Sequence, residues 1–244
     1  MLIARSPPRG ADPRLLSKLF RLLASSLVPG GGYLLYQWTP ATALALYWFE
    51  NVIGSVAMAI RISEHRRLNG DRAHRDPQLG LKFTSEDSRG KEKPVKFKSF
   101  LSEFVTGMTA FGVAHGAFLV VALAAIVQKP DWAALKQGAI AIALCHAIAV
   151  TVDLFTIQNW PFEKLKEQAQ SLMGRTILVQ FALIGGTWLA IAKDQPDSFF
   201  KVFVWLKTAS DVAGMVTSLA LPKPPVVALD ETVERDIKHK KRNR

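Results

Sequence analysis

Cysteine is nearly absent from this chain. Cys145 is the single one among 244 residues, which excludes an intramolecular disulfide and any multi-cysteine zinc module, and it reads as a small buried hydrophobe. Also missing are an internal repeat of the solenoid kind, an HExxH-type pair of ligands on one helix and a Gly-x-Ser-x-Gly elbow, so Ser210 beside Asp211 lacks the setting of a nucleophile. No cleavable signal peptide is expected. The first apolar run starts only after Leu15, carries Lys18 and Arg21, and has no small-residue cleavage site before the next run. Acidic residues are few, 20 against 31 Lys and Arg, for a net charge of +11. A soluble nucleic-acid-binding domain would scatter that excess, but here long stretches carry no charge at all.

Those uncharged stretches define the class. A helix needs about 20 mostly apolar residues to cross a hydrocarbon core of about 30 Å. Phe104 to Val127, Gln137 to Ile157 and Thr176 to Ala192 meet this, as do Ala41 to Ile60 around Glu50 and Phe199 to Leu221 around Lys207 and Asp211. Leu19 to Trp38 is a sixth candidate, where Pro29-Gly30-Gly31-Gly32 leaves a kink, a helix pair broken at mid-depth and a straight span equally open. With six spans, the N-terminal segment, the Arg61 to Lys98 stretch, the Lys164 to Arg175 stretch and the Lys223 to Arg244 tail all fall on one side, and these hold nearly all the basic residues. Positive charge stays cytoplasmic. The expected fold is therefore an all-α, polytopic integral membrane bundle of six transmembrane helices in the inner membrane, with both termini cytoplasmic. Its parts are a basic segment at 1–18, a transmembrane domain at 19–221 with a mobile basic loop at about 63–98, and a basic tail at 222–244. The expected partners are the bilayer and its anionic headgroups, met by the basic segments, with no nucleic acid. Tyr47, Trp48, Trp132, Trp160 and Trp205 read mostly as interfacial anchors.

A charged side chain at mid-membrane costs roughly 2.5–3.5 kcal/mol, so each needs a reason to be there. Counting along the spans places Glu50, His115, His146 and Lys207 near the centre, and Asp211 and Asp153 nearer the cytoplasm. Lys207 and Asp211 are i, i+4 neighbours able to neutralise each other, and His146 and Asp153 share a stripe two turns apart. Glu50 has no basic residue within a turn, so its partner must come from another helix or it must be protonated. Gly107, Gly112 and Gly116 leave room beside His115 for another helix. If these faces turn inward, they meet in one polar cluster.

The stretches ALYWFENVIG from Ala45, FGVAHGAFLVV from Phe111, LCHAIAVTVDLF from Leu144, MGRTI around Arg175 and WLKTASDV around Lys207 resemble, in that order, a prokaryotic family of multi-pass membrane proteins catalogued as domain of unknown function 6498. The resemblance covers about residues 20–220, and Tyr-Trp-x-Glu-Asn and His-Gly are its most specific elements. That family has no assigned activity, so the resemblance implies architecture and positions without chemistry.

Three functions fit the residues. In a membrane-embedded enzyme, Glu50, His115, His146, Lys207 and Asp211 form the site. His115 and His146 with Glu50 or Asp153 could hold a divalent transition metal such as zinc and leave a position for water, while Lys207 positions an anionic group of a small-molecule substrate of unknown identity. In a proton-coupled transporter, Glu50, His115 and His146 titrate at mid-depth. In a non-catalytic scaffold, the polar residues only specify helix packing.

Overall fold

The computed structural model describes residues 13–70, 74–86, 92–126, 129–193, 204–205, 207–209 and 211–212. The basic segment before residue 13, the tail from 222 and Ser210 lie outside the described residues. The chain enters as α1 (Pro13–Leu22), passes through one π turn (Leu23–Leu27) and continues as α2 (Val28–Tyr36). Proline explains the wider turn. Pro29 has no N–H for the carbonyl four residues back, and its ring crowds that carbonyl. The preceding turn opens to i→i+5 bonding, with the Val28 N–H on the Leu23 carbonyl. Of the alternatives left open at Pro29-Gly32, the run takes the continuous one and absorbs the proline in a π bulge.

Helix α3 (Pro40–Asn69) starts where Thr39 Oγ1 accepts from the Thr42 N–H at 3.2 Å and Pro40 fills the first turn. After it come two short strands, β1 (Thr84–Glu86) and β2 (Glu92–Pro94), paired antiparallel, then α4 (Phe100–Ile126) and α5 (Trp132–Leu154). Asp131 caps α5 by accepting from the Ala133 and Ala134 N–H groups at 2.9 and 3.2 Å. A 3-10 turn (Ile157–Asn159) leads to α6 (Phe162–Lys193). The Asp131 N–H donates to Thr42 Oγ1 at 2.8 Å, so α3 and α5 begin side by side and run parallel. Helix α3 is central, packed on α4, α5 and α6. Among the described residues, three helices are long and apolar enough to cross a membrane: Pro40–Asn69, Phe100–Val121 and Trp132–Leu154.

Of the three apolar clusters among the described residues, two hold the bundle at different heights. Tyr47, Leu119, Val179 and Val204 form one; Met58, Ile62, Phe100, Phe104, Trp160 and Leu165 form the other. The second cluster also takes in Leu79 and Leu81 from the segment expected to be a mobile loop. That segment is anchored. Helix α3 runs on to Asn69, and the buried Glu103 carboxylate accepts from the Leu79 and Leu81 N–H groups, each at 2.8 Å. His74 packs edge-on against Phe162 and bonds His65 at 2.9 Å, while the other His65 ring nitrogen meets the Trp160 carbonyl. The space beside two of the three α4 glycines is filled by side chains: Leu81 lies over Gly107 and the Trp48 indole over Gly116, while Gly112 stays open. Of the expected interfacial aromatics, Trp132 and Trp205 are exposed, but Tyr47 is buried inside the bundle.

Glycine sites test this packing. A side chain at Gly138 meets Leu46 and Trp38, whereas one at the exposed Gly174 meets nothing. Gly138→Leu should lower stability in detergent by about 1–3 kcal/mol through overpacking. Gly174→Ala should raise it by about 0.5–1 kcal/mol. Unfolding titrations in mixed micelles read both, and a stable Gly138→Leu protein would contradict the α3–α5 contact.

Candidate polar site within the bundle

Glu50 is fully buried on α3, where apolar neighbours leave its charge to be met by other helices. Arg175 of α6 brings Nη2 to 3.4 Å from Glu50 Oε1 and Nη1 to 3.4 Å from Asp211 Oδ1. Asp211 is held at 2.8 Å by Lys207 Nζ, one turn back on its own helical segment. His146 of α5 places Nε2 3.6 Å from Glu50 Oε1, close for charge interaction but long for a hydrogen bond. Two carboxylates thus face two cations.

The first helical run completes the group. Pro29 cannot give an N–H to the Ser25 carbonyl, and that carbonyl accepts from Lys207 Nζ at 2.8 Å. The Ser26 hydroxyl donates to Asp211 Oδ2. Lys207 Nζ also sits 4.9 Å from the centre of the Tyr47 ring, a cation–π distance. So the proline that looked like a helix breaker opens the backbone oxygen on which the buried lysine rests.

Not every donor and acceptor is used. Glu50 Oε2, both ring nitrogens of His146 and Arg175 Nε are buried without a hydrogen-bond partner among the described residues. Glu50 is sealed, whereas the Arg175 side chain keeps 29% of its surface exposed. Native interiors rarely leave this many polar atoms unfilled in one place.

Two of the expected site residues are elsewhere. Asp153 is paired with Arg61 of α3 at 2.7 Å, both side chains buried, two turns along α5 from His146. His115 is buried on α4 and faces a separate cavity between α3 and α4. The metal reading finds no support in the geometry of the described residues. It needs three of Glu50, His115, His146 and Asp153 around one point, and no group of three His, Cys, Asp or Glu able to hold a metal exists among the described residues. Asp153 is committed to a guanidinium, and Glu50 and His146 are only two ligands.

Arg175 and Arg61 are the residues that reading by spans leaves out. Both sit at span ends within basic blocks, where an arginine looks like a topology signal. The cue available for Arg175 is the carboxylate at Glu50 that needs a cation from another helix.

The Arg61–Asp153 pair gives a direct test of buried charge. Removing one partner from such a pair costs about 3–5 kcal/mol, while replacing both with apolar residues is often nearly neutral. Arg61→Met should destabilise strongly and Arg61→Met/Asp153→Leu should recover most of the loss, measured by a double-mutant cycle of unfolding in micelles. Additive losses would mean the two side chains do not meet.

No curated protein and no solved structure matches the chain. The family model described as a family of unknown function, DUF6498, matches residues 10–242. The chain, with its Tyr-Trp-x-Glu-Asn element on α3 and its buried carboxylate cluster, belongs to that family.

Proposed function

We propose that the protein is a six-span inner-membrane protein, both termini cytoplasmic, whose Glu50–His146–Arg175–Lys207–Asp211 cluster binds a small polar ligand of no net charge. The observation that carries the reading is the set of unfilled positions on Glu50, His146 and Arg175 inside a cluster whose charges already cancel. A purely packing role needs those valences filled, because each unsatisfied buried polar group costs about 1–3 kcal/mol. A ligand offering both donors and acceptors fills them without disturbing the balance, whereas a free ion would upset it. Glu50 and His146 at 3.6 Å are placed to pass a proton to or from such a ligand, as in a membrane-embedded enzyme. The same approach favours a second reading, a proton-coupled carrier in which the pair shares one proton and releases it with the ligand.

The topology in this proposal rests on charge placement. In a cysteine-free background made by Cys145→Ser, Lys82→Cys and Lys136→Cys are both at exposed positions. A membrane-impermeant maleimide added to intact cells should label position 136 and reach position 82 only after permeabilisation. Labelling of both from outside would overturn the six-span arrangement.

For the ligand, wild-type protein released from nanodiscs into a native mass spectrometer should carry a bound polar small molecule. Glu50→Gln should lose it while keeping its helical circular dichroism. If the wild type carries no such molecule and Glu50→Gln unfolds at or above the wild-type temperature, the cluster only packs helices. Uptake that depends on a pH gradient in proteoliposomes and vanishes in Glu50→Gln would select the carrier.

A further inference from the structure

A cavity of about 320 Å³ lies between α3 and α4, separate from the charged cluster, and is of a size that takes a small organic ligand. Its lining is mostly apolar, and no Asp, Glu, Lys or Arg contributes to it. Val56, Val105 and Val113 on its rim are exposed large hydrophobics, so on a membrane-embedded α3–α4 face the opening meets lipid tails rather than water. Toward the interior the lining turns polar at Asn51, His115 and Thr176.

The polar end is unfilled. Asn51 Nδ2 and His115 Nδ1 are buried, with 5% and 3% of these residues exposed, and neither atom has a hydrogen-bond partner among the described residues. The Asn51 side-chain oxygen lies 3.5 Å from the Thr176 hydroxyl, which donates more closely to the Leu172 carbonyl at 2.9 Å, and the Asn51 amide nitrogen is left for a guest. Trp48 does not compete, because its indole N–H donates to the Gly112 carbonyl at 3.0 Å. An amide donor beside an imidazole nitrogen asks for an oxygen acceptor. An uncharged wall rejects a carboxylate or phosphate, which would enter without a counter-charge.

We propose that this cavity binds a neutral amphiphile from the bilayer, an apolar chain ending in a carbonyl or hydroxyl oxygen that accepts from Asn51 and meets His115. The chain enters between α3 and α4 past the valine rim, and the head stops at the polar end. Asn51 and Thr176 directly follow Glu50 and Arg175 in sequence, so the bound head lies one residue away from the charged cluster without joining it. The inference stands whether or not the cluster binds a ligand of its own.

Gly112 provides the test. It lines the cavity, and a side chain built there meets nothing within 4 Å, so Gly112→Leu fills the space without pressing on the helices. Full-length protein in nanodiscs is titrated with a decyl-substituted benzoquinone, which quenches nearby tryptophan, and Trp48→Phe identifies the part of the signal that comes from the cavity. Saturable quenching is expected in the wild type, weakened at least tenfold by Gly112→Leu and severalfold by Asn51→Leu and by His115→Leu. Palmitate should fail to compete. Geranylgeraniol competing would extend the site to alcohols, and its failing to compete would confine it to carbonyl heads; both keep the proposal. Unsaturable quenching that is equal in wild type and Gly112→Leu means bulk lipid occupies the groove and overturns it, as does displacement by palmitate. If Gly112→Leu does not fold, quenching by His115→Leu that equals wild type overturns it instead.

Discussion

A carboxylate taken out of water keeps its charge only if other charges and dipoles replace the hydration it loses. Glu50 and Asp211 are in that position, and most of the cluster's geometry follows from holding them. Arg175 bridges the two carboxylates, and Lys207 secures Asp211 from one turn away. The requirement ties together elements far apart in sequence: the first helical run, α3, α5, α6 and the last helical segment all contribute an atom to one ionic group. Apolar contacts alone specify packing loosely when the surrounding medium is itself apolar, so a buried ionic group of this kind is well suited to fixing which helices meet and at what height.

The parallel pair α3 and α5 shows how height is set. It is tied at its start by Thr42 and Asp131, in its middle by Glu50 and His146, and toward its far end by Arg61 and Asp153. At 1.5 Å per residue, Glu50 and Arg61 are separated by about 16 Å along α3, so the two charged layers are distinct sites rather than one. The Arg61 layer sits beside the aromatic cluster that also holds the His65–His74 contact and the Glu103 clamp on the α3–α4 connection. Arg61 Nη2 in that layer is also buried without a hydrogen-bond partner among the described residues, but the open positions are more numerous around Glu50, on its own Oε2, on both His146 ring nitrogens and on Arg175 Nε.

Several parts of this arrangement were legible in the residues. The uncharged runs marked α3, α4 and α5, and the missing local cation around Glu50 required a partner from another helix. The i, i+4 spacing of Lys207 and Asp211 anticipated their contact, because one turn of helix brings such side chains together whatever surrounds them. Other parts were left open or misread for identifiable reasons. Pro29-Gly32 left a kink, a break and a straight span open because proline removes a backbone bond, and a π turn is how the run absorbs the loss. The Arg61 to Lys98 stretch looked mobile because it is polar and aperiodic, yet a single buried carboxylate, Glu103, binds two of its backbone N–H groups.

What the sequence by itself determined is therefore local: where helices run, how they are capped, which residues share a face, and that ionisable groups enter apolar segments. These follow from periods of one or two turns and from the cost of leaving water, which act within a segment. Only the tertiary structure decided which of those groups meet. His146 faces Glu50 while Asp153 on the same stripe faces Arg61, and His115 faces an uncharged cavity instead of the ionic cluster, because helix rotation and register are set by contacts among all the helices at once. No spacing along one chain segment carries that information.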